Sequence, residues 1–312
     1  MREIYAQAAE RLRQGHPFAL ATLVAVRNAA PSPIGTSLLV DTGGSFRGNI
    51  GAGCHEGEVV ETAHAMIADG TARLVSFGLD DELTDGSACG ASLDVVVWRP
   101  DISFLKTAEA IAAGDEACEF AVPMVGEDGT PFTVRVAARR TLAIVGATTL
   151  GADLAAIGRR CDFRTIVIDP RPAFATRERI PHSDVLTVAW PDDALPGVLN
   201  ANTALLVMSH DAKIDLPALR AGLASDVPYI GLLGSRRSQR VRLDTLQSQG
   251  YRDEQLARIY GPAGLDLGGT TPAQTALSIL SEVTAMLNGR SGLPLRTVRG
   301  SIHNTVLLAG RS

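Results

Sequence analysis

Leu142-Ala143-Ile144-Val145-Gly146-Ala147-Thr148-Thr149-Leu150-Gly151-Ala152, with Thr165-Ile166-Val167-Ile168-Asp169 a helix's length of sequence later, is the stretch on which the fold of this chain depends. An apolar run enters a glycine turn, a helical pattern follows, and a second apolar run ends on an acid. Strands covered on both faces lose the apolar–polar alternation of half-exposed ones, so continuous runs separated by helical segments predict a parallel sheet with helices on both sides. The pattern recurs at Val185 to Ala189, Thr203 to Ser209 and Tyr229 to Leu233. Thr271-Pro272 is a good cap and first-turn pair for a helix running to about Leu287. The remainder, Gly289 to Ser312, reads as a tail whose structure the pattern does not define.

Residues 140–312 therefore read as a Rossmann-like domain. Against the dinucleotide fingerprint G-x-G-x-x-G, Gly146 and Gly151 fit but Thr148 holds the middle position, where a pyrophosphate normally passes close to bare backbone. The hydroxyls of Thr148 and Thr149 offer another way to meet an anion at a helix start. Asp169 is placed for a ribose diol and Arg171 for a phosphate. Ligands of open α/β sheets bind beyond the carboxyl ends of the strands, which directs attention to Ser209-His210-Asp211 and Gly234-Ser235-Arg236-Arg237. His210 or Asp211 could move a proton, whereas Asp215 reads as the cap of a helix beginning at Leu216. Arg236 and Arg237 suit a phosphate or carboxylate. Gly264-Leu265-Asp266-Leu267-Gly268-Gly269 adds a glycine-rich turn at the same edge.

Residues 1–139 read differently. Helical spacing at Ile4 to Gln14, an apolar strand at Phe18 to Val26, a hairpin about Thr42-Gly43-Gly44, a helix at Glu56 to Ala68, strands near Ala72 to Phe77 and Leu93 to Trp98, a helix at Ser103 to Ala113 and a hairpin about Glu127-Asp128-Gly129 make an α+β domain. Its densest feature is Gly48-Asn49-Ile50-Gly51-Ala52-Gly53-Cys54-His55-Glu56. There Gly53 leads into Cys54 and Glu56 at a helix start, a setting that favours anions and a thiolate. Cys89 stands among glycines in an acidic loop. Cys118 and Cys161 read as buried hydrophobes. The cysteines at 54, 89, 118 and 161 form no C-x-x-C pair, so no zinc ribbon or thioredoxin-type motif is expected.

A composition 46% hydrophobic and 20% charged, with 31 glycines, fits a folded, loop-rich α/β chain. The net charge of −5 and pI near 5.7 argue against nucleic acid as a partner. Without an apolar leader or a run long enough to span a bilayer, a cytoplasmic protein with no membrane role is expected.

Taken together, Pro33-Ile34-Gly35-Thr36-Ser37, the Gly48 to Gly57 segment, Ile168-Asp169-Pro170-Arg171, Ser209-His210-Asp211 and Gly231-Leu232-Leu233-Gly234-Ser235-Arg236-Arg237 resemble the XdhC/CoxI family over nearly the whole chain. That family comprises accessory proteins of molybdenum hydroxylases such as xanthine dehydrogenase. The resemblance implies a chaperone that binds molybdenum cofactor, as molybdopterin or its cytidine dinucleotide form. It would protect the cofactor while a cysteine desulfurase supports its sulfuration, then deliver it to an apo-molybdenum hydroxylase. It also implies a homodimer, and Cys54 as the residue that holds the cofactor and contacts its molybdenum. This chain departs from the family pattern at His55, Ala91 and Thr148-Thr149. Two other readings stay open: an NAD(P)-dependent oxidoreductase using Gly146, Gly151 and Asp169, and an adaptor that carries no cofactor.

Overall fold

The computed structural model of the chain describes residues 1–27, 32–50, 56–77, 92–123 and 131–299. Two compact units result, one within Met1–Ala138 and one spanning Arg139–Arg299.

The first unit contains α1 (Arg2–Gln14), β1 (Phe18–Arg27), β2 (Ser37–Asp41), β3 (Phe46–Arg47), α2 (Glu56–Asp69), β4 (Arg73–Phe77), β5 (Ser92–Trp98), α3 (Leu105–Ala113), β6 (Cys118–Val122) and β7 (Phe132–Val136). Five strands form an antiparallel sheet in the order β3-β2-β1-β5-β4, and β6 pairs with β7. Alternation along β1 divides the core. Phe18, Leu20 and Val24 join Tyr5 and Ala8 of α1 and Ala108 and Ile111 of α3 on one face. Ala19, Ala21 and Leu23 join Val59, Ala63 and Met66 of α2 on the other. A buried polar chain stitches the first face: Trp98 Nε1 donates to Thr22 Oγ1 at 3.0 Å, Thr22 meets Ser37 Oγ at 3.0 Å, and Ser37 meets the Tyr5 hydroxyl at 2.8 Å. Burial, only partly countered by Ser37, pushes the Tyr5 phenol up to about 12.

The second unit contains β8 (Thr141–Val145), α4 (Thr149–Arg160), β9 (Arg164–Ile168), β10 (Val185–Thr187), α5 (Pro191–Ala194), β11 (Thr203–Val207), α6 (Ala212–Leu223), β12 (Tyr229–Leu232), α7 (Arg236–Ser248), α8 (Asp253–Leu256), β13 (Ile259–Tyr260) and α9 (Pro272–Leu287). All its strands run parallel in the order β10-β9-β8-β11-β12-β13, the doubly wound arrangement whose strand order reverses between β8 and β11. Leu142 and Ile144 of β8 face α4 and α9, while Ala143 and Val145 face α6. Glycine decides how close the helices lie. A Cβ on Gly158 of α4 would come 2.5 Å from Leu142 Cδ1, and one on Gly222 of α6 would come 2.6 Å from Leu205 Cδ2.

The mixed α/β fold class read from the sequence is the one found, with the parallel strands β8 to β12 each ending a residue or two earlier because their last residues turn into loops. Three details differ. α6 begins at Ala212 rather than Leu216, since His210 takes a left-handed conformation (φ 62°) that lets Asp211 cap it. The segment at 102–104 is a tighter 3-10 turn preceding α3. Cys161 is exposed and Cys118 half-buried, because the first follows the polar end of α4 and the second opens a strand. Gly53, Cys54, Cys89, the acidic loop, the Glu127-Asp128-Gly129 turn and the tail from residue 300 lie outside the described residues.

Candidate functional site

The carboxyl edge of the parallel sheet gathers the turns singled out above. At its centre β8 ends in Gly146 (φ 122°), whose N–H donates to Ile168 O at 2.9 Å. A Cβ on Gly146 would lie 2.9 Å from both the Met208 carbonyl carbon and Ser209 N, so the end of β11 fills the space that makes glycine necessary. A Cβ on Gly151 would collide with Gly146 O. Thr148 caps α4, accepting from Gly151 N at 3.2 Å. Both glycines and the threonine therefore have work within the chain, and the hydroxyl sits where a pyrophosphate would meet the helix start.

Asp169, fully buried at the end of β9, is also engaged. Its Oδ2 accepts from Ala147 N at 2.8 Å and Arg171 Nη2 at 2.7 Å, and its Oδ1 from Arg171 N and Nε, both at 2.9 Å. Burial works against its charge, but Arg171 and the two backbone N–H groups outweigh it and hold the carboxyl below the usual range. The Arg171 guanidinium lies 3.9 Å over the Phe174 ring and is pushed up by the hydrogen bond to Asp169, with Asp211 and Asp215 adding to the field. A ribose diol could reach Asp169 only by displacing these donors.

Beyond β11 the geometry corrects the reading of Asp215. Asp211 is the cap, accepting from Lys213 N at 2.9 Å, and His210 is exposed. Asp215 is completely buried in the first turn of α6. Ser209 Oγ donates to its Oδ1 at 2.5 Å, and Arg242 of α7 donates to its Oδ2 through Nε at 2.8 Å and Nη2 at 2.5 Å. Sequence reading missed Arg242, although a signal exists: it shares the buried stripe of α7 with Gln239 and Leu246. An arginine on a core stripe asks for an acid.

Beyond β12, Gly234 (φ 137°) turns the chain so that Ser235 caps α7, accepting from Ser238 N at 3.2 Å. Arg236 and Arg237 are exposed on the first turn, and Arg240 follows them. Neither Arg236 nor Arg237 bonds to any described residue. Thr149 is exposed at the start of α4. The edge thus brings together Gly146, Thr148, Asp169 and Arg171 in one cluster and Ser209, Asp211 and Asp215 in the next, with Gly234 to Arg237 beyond them. In the first unit, Glu56 opens α2 and is nearly buried, its Oε1 accepting from Ile50 N at 3.4 Å. Among the described residues no group of acids, histidines and cysteines could hold a metal ion, and no helix is long and apolar enough to cross a membrane.

Relatives agree with this architecture. The Escherichia coli protein YqeB is 25% identical over 310 residues, 98% of this chain, but the chain spans only 50% of that protein's length. "Molybdenum cofactor insertion chaperone PaoD" of Escherichia coli is 25% identical, covering 91% of this chain and 88% of its own. A Bacillus subtilis protein, named there as a probable subunit of xanthine dehydrogenase, is 23% identical, with coverages of 85% and 91%. A crystal structure titled as a xanthine dehydrogenase from Bacillus halodurans shares the fold, with a TM-score of 0.76, 22% identity and coverage of 92% of this chain and 96% of that one. The XdhC Rossmann domain profile matches residues 142–283, and the XdhC and CoxI family profile matches residues 11–78. Matched over both units, and over more than half its length, the chain belongs to the XdhC and CoxI family.

Proposed function

We propose that this chain is an accessory protein of molybdoenzyme maturation that binds molybdenum cofactor and passes it to a xanthine dehydrogenase-like hydroxylase. The observation that carries this choice over the oxidoreductase reading is the occupied Gly146 turn. Its glycines pack against the chain itself, Thr148 caps the helix, and Asp169 is saturated by Arg171 and Ala147. A nicotinamide enzyme needs bare backbone where Thr148 stands and a free carboxylate at Asp169 for the ribose, whereas the turn and packing glycines Gly146 and Gly151 suit either reading. Family membership and the likeness to PaoD support the same reading.

The residues fit a phosphorylated ligand at the other end of the edge, where Arg236 and Arg237 flank a helix start with their guanidinium groups exposed. Cys54 is the residue we assign to the molybdenum end, with Gly53 and Glu56 beside it and Cys89 as a second thiol. When bound, the cofactor supplies the redox chemistry of the enzyme that finally receives it. This chain's part is to hold it by its polar groups and shield it from water. Protection during sulfuration by a cysteine desulfurase, and action as a homodimer, complete the proposal.

The test is the pterin released after iodine oxidation from protein made in a molybdenum-replete host, compared with Cys54→Ala. Near-stoichiometric pterin that falls away in the variant is expected. NADH binding in the micromolar range, with no pterin in the wild type, would establish the oxidoreductase instead. An adaptor would carry neither and would still capture the hydroxylase when Cys54 is replaced.

A further inference from the structure

A cavity of about 520 Å³ opens between the start of α7 and the loop joining β13 to α9. Its size falls within the roughly 300–1,000 Å³ of small-molecule sites. Arg236 forms one wall, and the loop from Pro262 to Gly269 with Gln274, Thr275 and Ser278 of α9 forms the other.

That second wall is built rather than draped. Gly264 N donates to Glu282 Oε2 at 2.8 Å, and the same oxygen accepts the Tyr229 hydroxyl. Leu265 N donates to Ser278 O at 3.2 Å, and Ser278 Oγ bonds back to Leu265 O. Thr270 N and Thr271 N both donate to Gln274 Oε1, at 3.0 and 3.3 Å. Gly264 has φ 116° and packs against Ser278, so only glycine suits it.

The distribution of charge then decides what the cavity takes. Along the centre of the edge each arginine is already neutralised, Arg171 by Asp169 and Arg242 by Asp215. Arg236 is bonded to no described residue, and the Nε2 protons of Gln274 are engaged by none either. Asp266 also faces this space, which opposes a bare anion and favours one that brings N–H or O–H donors with it.

We infer that this cavity receives the phosphate-ester end of the ligand, with Arg236 as its cationic partner and Asp266 accepting from the ligand's own N–H or O–H groups. The inference rests on the phosphorylated-cofactor reading above for the ligand's identity. It places the anion two strands away from the turn where a dinucleotide fold would hold it.

Titration of the intact chain with inorganic phosphate, followed by ³¹P NMR, tests the cavity by itself. Arg236→Ala is expected to weaken phosphate at least about tenfold. Asp266→Asn removes a like charge and is expected to tighten it several-fold, while Arg220→Ala, at the opposite end of α6, leaves it unchanged. Wild-type titration without saturation, an unaltered Arg236→Ala curve, or weaker binding by Asp266→Asn would overturn the assignment. Pterin retention separates the two claims. Pterin absent from the wild type, with the phosphate pattern as expected, sinks the cofactor reading and leaves the cavity. Pterin kept equally by wild type and Arg236→Ala sinks the cavity and leaves the cofactor reading.

Discussion

The buried charged residues of the parallel unit, Asp169, Asp215 and Arg242, all have charged partners, and this governs how it responds to acid and to mutation. Asp184 accepts from Thr165 N at 2.8 Å and Thr165 Oγ1 at 3.2 Å and pairs with Arg139 at 3.3 Å. Burial raises its pKa, but Thr165 and Arg139 more than offset this and leave it depressed, as at Asp169. A carboxyl whose folded pKa lies below the unfolded value of about 3.9 adds stability that is complete above that value and lost as pH falls through the folded one. Asp184→Asn is therefore expected to unfold at lower urea at pH 7 and to lose less than wild type between pH 5 and pH 3, roughly the window of that titration. The buried Asp215–Arg242 pair carries a larger penalty when halved. Arg242→Ala should cost about 3–5 kcal/mol in a urea unfolding curve, because it strands a carboxylate with no water. At this scale the sequence was only half legible: Asp169 and Arg171 stood out by their place after β9 but were read as groups for a ligand rather than for each other, and Asp215 looked like a cap because its partner lies 27 residues away.

Elements were easier to read than contacts, since periodicity is local. The β-branched runs of β8, β9 and β11 announced themselves, and Thr271 caps α9 as expected, with Gln274 bonding back to it in a reciprocal cap that the sequence reading had not named. β13 and α8 escaped notice because two to four residues carry too little pattern. The hairpin of β2 and β3 was legible through its glycines, although β3 keeps only two paired residues. Helix seating supplies the prediction here. Gly158→Ala would drive a methyl group into Leu142 and lift α4 from the sheet, and a loss of about 1–3 kcal/mol is expected by thermal or urea unfolding. A neutral result would mean that Leu142 changes rotamer freely despite its full burial.

At the scale of the whole molecule, strand order was not legible at all, because nothing local says which parallel strand lies beside which. It follows from right-handed crossovers and the reversal after β10. Each unit has its own core, and each holds one of the chain's two tryptophans: Trp98 is buried in the first and Trp190 is half-exposed in the second. With Trp190→Phe as background, emission reports the first unit alone while far-UV circular dichroism reports both. Adding Arg242→Ala is expected to lower the urea midpoint of the dichroism signal and leave that of Trp98 in place; a common shift of both would mean that the units unfold as one.

The row Arg236, Arg237 and Arg240 has a consequence in time as well as in space. On a molecule of net charge −5, these exposed guanidinium groups gather positive charge at the start of α7, with Asp266 beside Arg236. An anion diffusing near that helix start is expected to meet it at a rate that falls as added salt shortens the Debye length below ~10 Å. Capture therefore becomes a matter of ionic strength, fastest in dilute buffer and slowing well before affinity at contact is lost.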